Sequence, residues 1–247
     1  AGERARFAAL AAELSELQEL LAAAGTHGLL VVLQGRDAAG KDGTLRAVAG
    51  ALNPVGTRVA SFKVPTADEL AHDFLWRVHR QVPGRGEVVF FNRSHYEDVL
   101  VVRVHDLVPE TLWKRRYDHI NAFESLLADS GILVVKFLLH ISKDEQEKRL
   151  LDREAEPRKA WKLNPGDWRE RGLWERYTAA YEDAVGRCAA PHAPWYVVPA
   201  DDKDERDVAV AEALVETLRP HRRDWEKALE AVGTRQKAAL AEMRART

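Results

Sequence analysis

The stretch with the most chemical potential is GRDAAGKD, Gly35–Asp42, which fits G-x-x-x-x-G-K and lies between an aliphatic run and a helical segment. Gly35 and Gly40 let the backbone curl. The amides of Arg36, Ala38, Ala39 and Gly43, with the helix N-terminus behind them, can then face one phosphate while Lys41 adds a point charge. A phosphoanhydride is the matching ligand. Asp42 stands where Ser or Thr usually holds magnesium, and Asp37 sits inside the loop. Two carboxylates in a phosphate cradle call for a cation, and Mg2+ takes one or two carboxylates plus phosphate oxygens and water. Asp37 is equally placed to orient or deprotonate an acceptor phosphate oxygen. A carboxylate favoured by the helix dipole accounts for Asp42 as well as a metal role does.

A second cluster is FFNRSHYED, Phe90–Asp98, directly after an apolar run. The carboxyl end of a parallel strand is where α/β sheets bind ligands. Arg93 offers a planar, permanently charged fork for a transferring phosphoryl group. Glu97 and Asp98 are neighbours suited to a metal or nucleotide role, His95 is a candidate phosphate contact, and Ser94 reads as a helix cap. A third group is cationic. Arg149, Arg153, Arg158, Lys159, Lys162, Arg169 and Arg171 surround the segment Asp152–Gly172, whose part from Pro157 to Gly166 has three cations, no acid, and Trp161 as an anchor. That is the composition of a lid over phosphates.

These groups need a scaffold, and the hydrophobic pattern supplies one. Leu29–Gln34, Thr57–Lys63, Glu87–Phe91, Ile132–Ile141 and Pro194–Pro199 read as short strands, alternating with helical stretches at Lys41–Leu52, Thr66 onward, Pro109–Ser130, Ser142 onward, Trp174–Val185 and Asp204–Leu218. Non-alternating apolar strands separated by helices predict an α/β fold: a parallel five-stranded sheet with helices on both faces, a three-layer sandwich with a helical lid. Phe7, Leu10, Leu14, Leu17 and Leu21 form a helical stripe in residues 1–25, and Trp225, Leu229, Val232, Leu240 and Met243 mark a closing helix in residues 220–247. Either terminal helix can pack on its own core or pair with another copy. The whole of 1–247 is read as a single P-loop domain, with residues 152–172 as the lid. His140, within a buried strand, reads as a structural residue.

Composition narrows the partners. Lys+Arg 37 against Asp+Glu 39 gives a net charge of -2, so a bulk basic binder of nucleic acid or membrane is excluded and any cationic site is local. Cys188 is the lone cysteine, which leaves no internal disulfide and no cysteine zinc site, and suits a reducing cytoplasm. No run approaches a membrane span, and no segment reads as a signal peptide. HExxH and G-x-S-x-G are absent.

The motifs GRDAAGKDGT, FNRSHYEDVLVVRVH, KRRYDHINAFE and PRKAWKLNPGDW, spread from Leu29 to Pro220, together resemble polyphosphate kinase 2. The resemblance implies a P-loop kinase-like fold and Mg2+-dependent transfer of a terminal phosphoryl group from inorganic polyphosphate to nucleotides. It makes Gly35–Lys41 the Walker A site with Asp37 essential, puts Asn92–Arg93 in the Walker B place, and implies nucleotide contacts from Asp98, Arg103, Arg116 and His95. Much of the family has Asp-Arg where this chain has Asn92–Arg93. The Asn form with SHYEDVLVVRV is similar to the subgroup that accepts both AMP and ADP, and shifts part of the metal role from position 92 to Glu97 beside Asp37. GDP and GMP are further acceptor candidates, and a homo-oligomer is expected. Two rivals share the residues: an ATP-dependent nucleoside-monophosphate kinase of thymidylate-kinase type, and a non-catalytic polyphosphate or nucleic-acid binding module.

Overall fold

The computed structural model describes residues 2–156 and 164–246. In chain order the elements are α1 (Gly2–Ala24), β1 (Gly28–Gly35), α2 (Lys41–Val48), β2 (Thr57–Ser61), α3 (Ala67–Leu70), α4 (Trp76–His79), β3 (Val88–Asn92) and α5 (Val101–Val104). There follow α6 (Glu110–Asp129), β4 (Ile132–His140), α7 (Lys143–Ala155), α8 (Pro165–Gly172), α9 (Trp174–Arg187), β5 (Trp195–Pro199), α10 (Lys203–Leu218) and α11 (Arg222–Ala245).

The strands form one five-stranded sheet in the order β2-β3-β1-β4-β5, and every pairing is parallel. Its logic is visible in β1, every residue of which is buried. Leu29, Val31 and Leu33 enter a core with α1, α2, α10 and Trp225, whereas Leu30 and Val32 enter the opposite core with α6 and α9. Each fully buried Val or Leu contributes roughly 1.5–3 kcal/mol, so a strand apolar on both faces is stable only between two helical layers. The connection leaving β1 runs towards β2 and that leaving β3 runs towards β4, so the crevice at a switch of chain direction lies between β1 and β3. The P-loop and the Arg93 turn both open onto it.

The expected strands and long helices are present. α1 packs on its own chain, with Leu14, Leu17 and Leu21 buried, and Trp225 anchors the start of α11. His140 departs from expectation: it is exposed, as the last residue of β4. On either side of residues 157–163, the segment expected as a lid is helical: α7 continues to Ala155, and α8 fills Pro165–Gly172 with Pro165 in its first turn. Arg158, Lys159, Lys162 and Trp161 lie outside the described residues.

Candidate active site

The P-loop leaves β1 at Gly35 and enters α2 at Lys41, with Gly40 in the left-handed region at φ 102°. Gly40 is required twice over. A Cβ there would be strained, and would also stand 2.0 Å from Nη1 of Arg206, whose buried guanidinium lies directly behind the loop. Arg206 is held by Asp207, which also accepts from Thr44 Oγ1 at 2.9 Å, so α10 clamps the first turn of α2. The front of the loop is braced from α7. Gln146 Nε2 donates to Asp37 O at 3.0 Å, and Arg149 donates to the carbonyls of Ala38, Ala200 and Asp201. Arg149 is therefore a brace of the loop instead of a lid cation. Lys41 Nζ donates to Gly35 O at 2.6 Å, and burial lowers its pKa, with Arg93 adding to the effect.

Beside it, the register Leu33↔Asn92 brings the end of β3 level with the start of the loop, and Arg93 N bonds Leu33 O at 3.1 Å. Arg93 takes a left-handed backbone, φ 61°, which is costly for a side chain of this kind and is a mark of functional turns. Its guanidinium lies between two carboxylates, donating to Asp37 Oδ1 at 2.9 Å and Glu97 Oε2 at 3.2 Å. Burial alone would lower its pKa, but Glu97 and Asp37 outweigh that and raise it, so Arg93 is charged at every working pH. Glu97 is held in turn by Gln34 Nε2 at 2.9 Å. Asn92 Nδ2 donates to Asp42 Oδ1 at 3.0 Å, joining the end of β3 to the first turn of α2.

Two cavities meet here. One, of about 430 Å³, is walled by the loop from Asp37 to Gly43, Asn92, Arg93 and Arg153, the last paired with Asp167 of α8. The second, of about 380 Å³, lies beyond Arg93 and has Phe62, Val64, Pro65, Val102 and Leu107 among its apolar walls, with Lys63, Arg77, Glu97 and Asp98 beside Arg93 as its charged groups. Arg93 is common to both. In the second cavity Asp98 bonds Arg116 Nη1 at 3.0 Å, and burial, offset in part by Arg116 and Arg77, pushes its carboxyl up to about 6. Between α9 and the loop, Arg36 stacks 3.8 Å over Trp174 and donates to Thr178 Oγ1.

The structure thus gathers Gly35, Arg36, Asp37, Ala38, Gly40, Lys41, Asp42, Gly43, Asn92, Arg93, Glu97, Asp98 and Arg153 around the crevice. Ala39 is buried beneath the loop and offers only backbone. Two expected contacts lie elsewhere. His95 is fully buried, its Nε2 bonded to Glu124 Oε1 at 3.1 Å, because the turn after β3 directs it inward. It cannot meet a phosphate. Arg103 is tied to Asp183 and Tyr117 and covers Trp113, in a separate surface hollow. Sequence reasoning missed Gln34, Gln146 and Arg206, which position charged neighbours. It also missed the buried Lys136, which pairs with Glu124 and donates to Tyr96 Oη at 2.9 Å and Cys188 O at 2.7 Å. A Lys in the middle of ILVVKFLLH was the available signal, since such a charge needs a buried partner.

The family model for polyphosphate kinase 2 (PPK2) matches residues 1–226. The chain is 56% identical over 220 residues to an AMP/ADP-polyphosphate phosphotransferase of Meiothermus ruber, covering 88% of this chain and 82% of that protein. It is 46% identical over 217 residues to an ADP-polyphosphate phosphotransferase of Rhodopseudomonas palustris, covering 83% and 75%. A crystal structure of polyphosphate kinase 2 from Arthrobacter aurescens TC1 superposes with a TM-score of 0.87 at 45% identity, covering 88% of this chain and 78% of that one. With a P-loop, a charged turn and a shared crevice in the places such chemistry requires, this chain belongs to the polyphosphate kinase 2 family.

Proposed function

We propose that this enzyme moves the terminal phosphoryl group of inorganic polyphosphate onto ADP and AMP, with Arg93 at the point of transfer. The observation that carries this reading is that Arg93 lines both cavities, one where it joins Lys41 and Arg153 and suits a polyanion, the other walled by Phe62, Val102 and Leu107 and suited to a nucleoside. In the first, the loop amides, Lys41 and Arg153 receive the polyphosphate end; Arg158, Lys159 and Lys162 are assigned to the same polyanion from their charge in the sequence alone. In the second, the base packs against Phe62, Val102 and Leu107, with Asp98 and its partner Arg116 at the polar side. The acceptor phosphate then reaches Arg93. Catalysis is mainly positioning and charge stabilisation, as is general for phosphoryl transfer.

Asp37 and Asp42 both line the cationic cavity. Among the described residues no three His, Cys, Asp or Glu side chains converge as a metal cage. That donor set fits Mg2+, which is commonly held by one or two carboxylates while substrate phosphates and water complete its shell. A bound Mg2+ would supply charge neutralisation on the phosphate oxygens. Glu97 has both carboxylate oxygens engaged, by Gln34 and Arg93, so we assign it to holding Arg93 and give the metal to Asp37 and Asp42. Asn92, neutral beside Asp42, spares an incoming α-phosphate from one more negative charge. That supports acceptance of AMP beside ADP, with GDP and GMP as further acceptors.

The name of the Meiothermus relative points the same way. A cytoplasmic homo-oligomer is part of the proposal. No helix among the described residues is long and apolar enough to cross a membrane, and Val232 and Leu240 on α11 are exposed apolar side chains that another copy could cover. The deciding assay supplies AMP or ADP, polyphosphate and Mg2+, with no other nucleotide. Formation of ADP and ATP is expected from AMP. A requirement for added ATP would instead favour the nucleoside-monophosphate kinase, and binding without turnover would favour the binding module.

A further inference from the structure

Gln34 is the penultimate residue of β1, just before Gly35 opens the P-loop, and is completely buried, in a position where an aliphatic side chain would continue the strand. An amide there must find partners, and it finds two on a single neighbouring turn. Its Nε2 donates to Glu97 Oε1 at 2.9 Å, and its Oε1 accepts from Ser94 Oγ at 3.2 Å. Ser94 Oγ in turn accepts from Tyr96 N at 3.1 Å. The amide therefore grips both ends of the segment that follows Arg93. Glu97 Oε2 receives Arg93 Nη1, and Arg93 Nη2 reaches Asp37. The chain of contacts runs from a central strand to the guanidinium in two steps, Gln34 to Glu97 and Glu97 to Arg93, each a directional bond.

We propose that Gln34 is a positioning residue for phosphoryl transfer: it fixes the rotamer of Glu97, which aims Arg93 at the transferring group. The inference rests on the phosphotransferase reading above, with Arg93 at the point of transfer. The strand fixes where Gln34 stands, whereas Arg93 holds a left-handed backbone that its surroundings must maintain, and Gln34 is the contact that reaches the Arg93 side chain through Glu97. An amide is also the group this place needs. A carboxylate would repel Glu97, and an apolar side chain would leave Glu97 Oε1 without its buried donor.

Gln34→Met keeps length and removes both bonds. With AMP or ADP as acceptor its kcat should fall about 30- to 100-fold, the scale of a reacting group displaced by about 1 Å, while KM for polyphosphate changes less than about 3-fold. Gln34→Glu, of the same size, should fall further. Thermal unfolding of both variants identifies any that fail to fold. The decisive measurement is a double-mutant cycle. In an Arg93→Met background, Gln34→Met should cost less than about 2-fold, because the group it positions is gone. Full additivity, or a loss confined to KM, overturns the proposal while leaving the phosphotransferase intact. A wild-type enzyme inactive with polyphosphate would overturn both.

Discussion

The nine residues Phe90–Asp98 supply two charge clusters that differ in almost every physical respect. Arg93 and Glu97 point into the crevice and meet Asp37, with 38% of Arg93 and 28% of Asp37 side-chain surface still open to solvent. His95 and Tyr96 point the other way and meet Glu124 and Lys136, which are 1% and 0% exposed. Both clusters pair a cation with carboxylate, two in the first and one in the second. The first can exchange its partners for a phosphate, since its charges remain in reach of ligand and solvent. The second cannot, because a charge drawn from it would be left alone in the core. Its task is to fasten the turn to α6 and β4. One strand end thus separates chemistry from anchorage by side-chain direction alone.

The largest effect expected from this contrast is on stability. Lys136→Met should leave Glu124 buried and unpaired and cost about 3–5 kcal/mol in denaturant unfolding. Adding Glu124→Gln should restore a good part of it. Turnover per folded molecule should stay within about 3-fold of wild type; a collapse of kcat in a folded variant would break the division between the clusters. The open cluster should behave in the opposite way. Asp37→Asn is expected to lower turnover by roughly 100-fold or more, and Lys41→Ala by about 100-fold, with stability nearly unchanged. If Asp37→Asn retained near-normal rates and magnesium dependence, Asp37 would be a loop residue only.

A smaller effect is expected at the rim. Asn92→Asp sets a second carboxylate against Asp42, and should reduce kcat/KM for AMP by about 10-fold more than for ADP, equivalent to about 1.4 kcal/mol. Equal losses would show that position 92 does not sense the acceptor. The smallest concerns pH. Burial depresses the pKa of His95, against the opposing pull of Glu124, and its Nδ1 lies buried without a partner. The neutral ring fits if Nε2–H faces Glu124. A depressed folded-state value means that the stabilisation is present above the ordinary histidine value near 6.5 and is lost as pH falls through the lower folded one. His95→Gln should flatten that acid-side slope in unfolding free energy. An unchanged slope would assign it to the carboxylates.

The same contrast explains what the sequence made legible. Strands such as Leu29–Gln34 and Ile132–Ile141 were readable because burial on both faces leaves no polar alternation, and the glycines at 35 and 40 mark a loop that other residues fit poorly. Arg93 was readable from its place after a strand. The inward turn of His95 was not, since neighbouring residues on an irregular turn carry no period that tells inside from outside. Gln34 and Gln146 were invisible for a related reason: a neutral amide has no charge to flag it, and its importance lies in partners far along the chain. Arg103 and Arg149 illustrate the converse, cations that look free in sequence and are occupied by Asp183 and by loop carbonyls.

The strand order has a consequence for how the chain is made. β1 carries the P-loop and is the central strand, yet its two neighbours are β3 and β4, and its register partners for Leu29 are Val88 and Leu133. On a ribosome, β1 emerges early and has neither edge covered until those later segments follow. Closing such distant parallel pairs is entropically slow, and an unpaired apolar edge invites association with other chains meanwhile. Refolding yield should therefore depend on protein concentration more steeply than native stability would suggest, and chaperones that shield extended apolar segments should act chiefly before β4 has been synthesised.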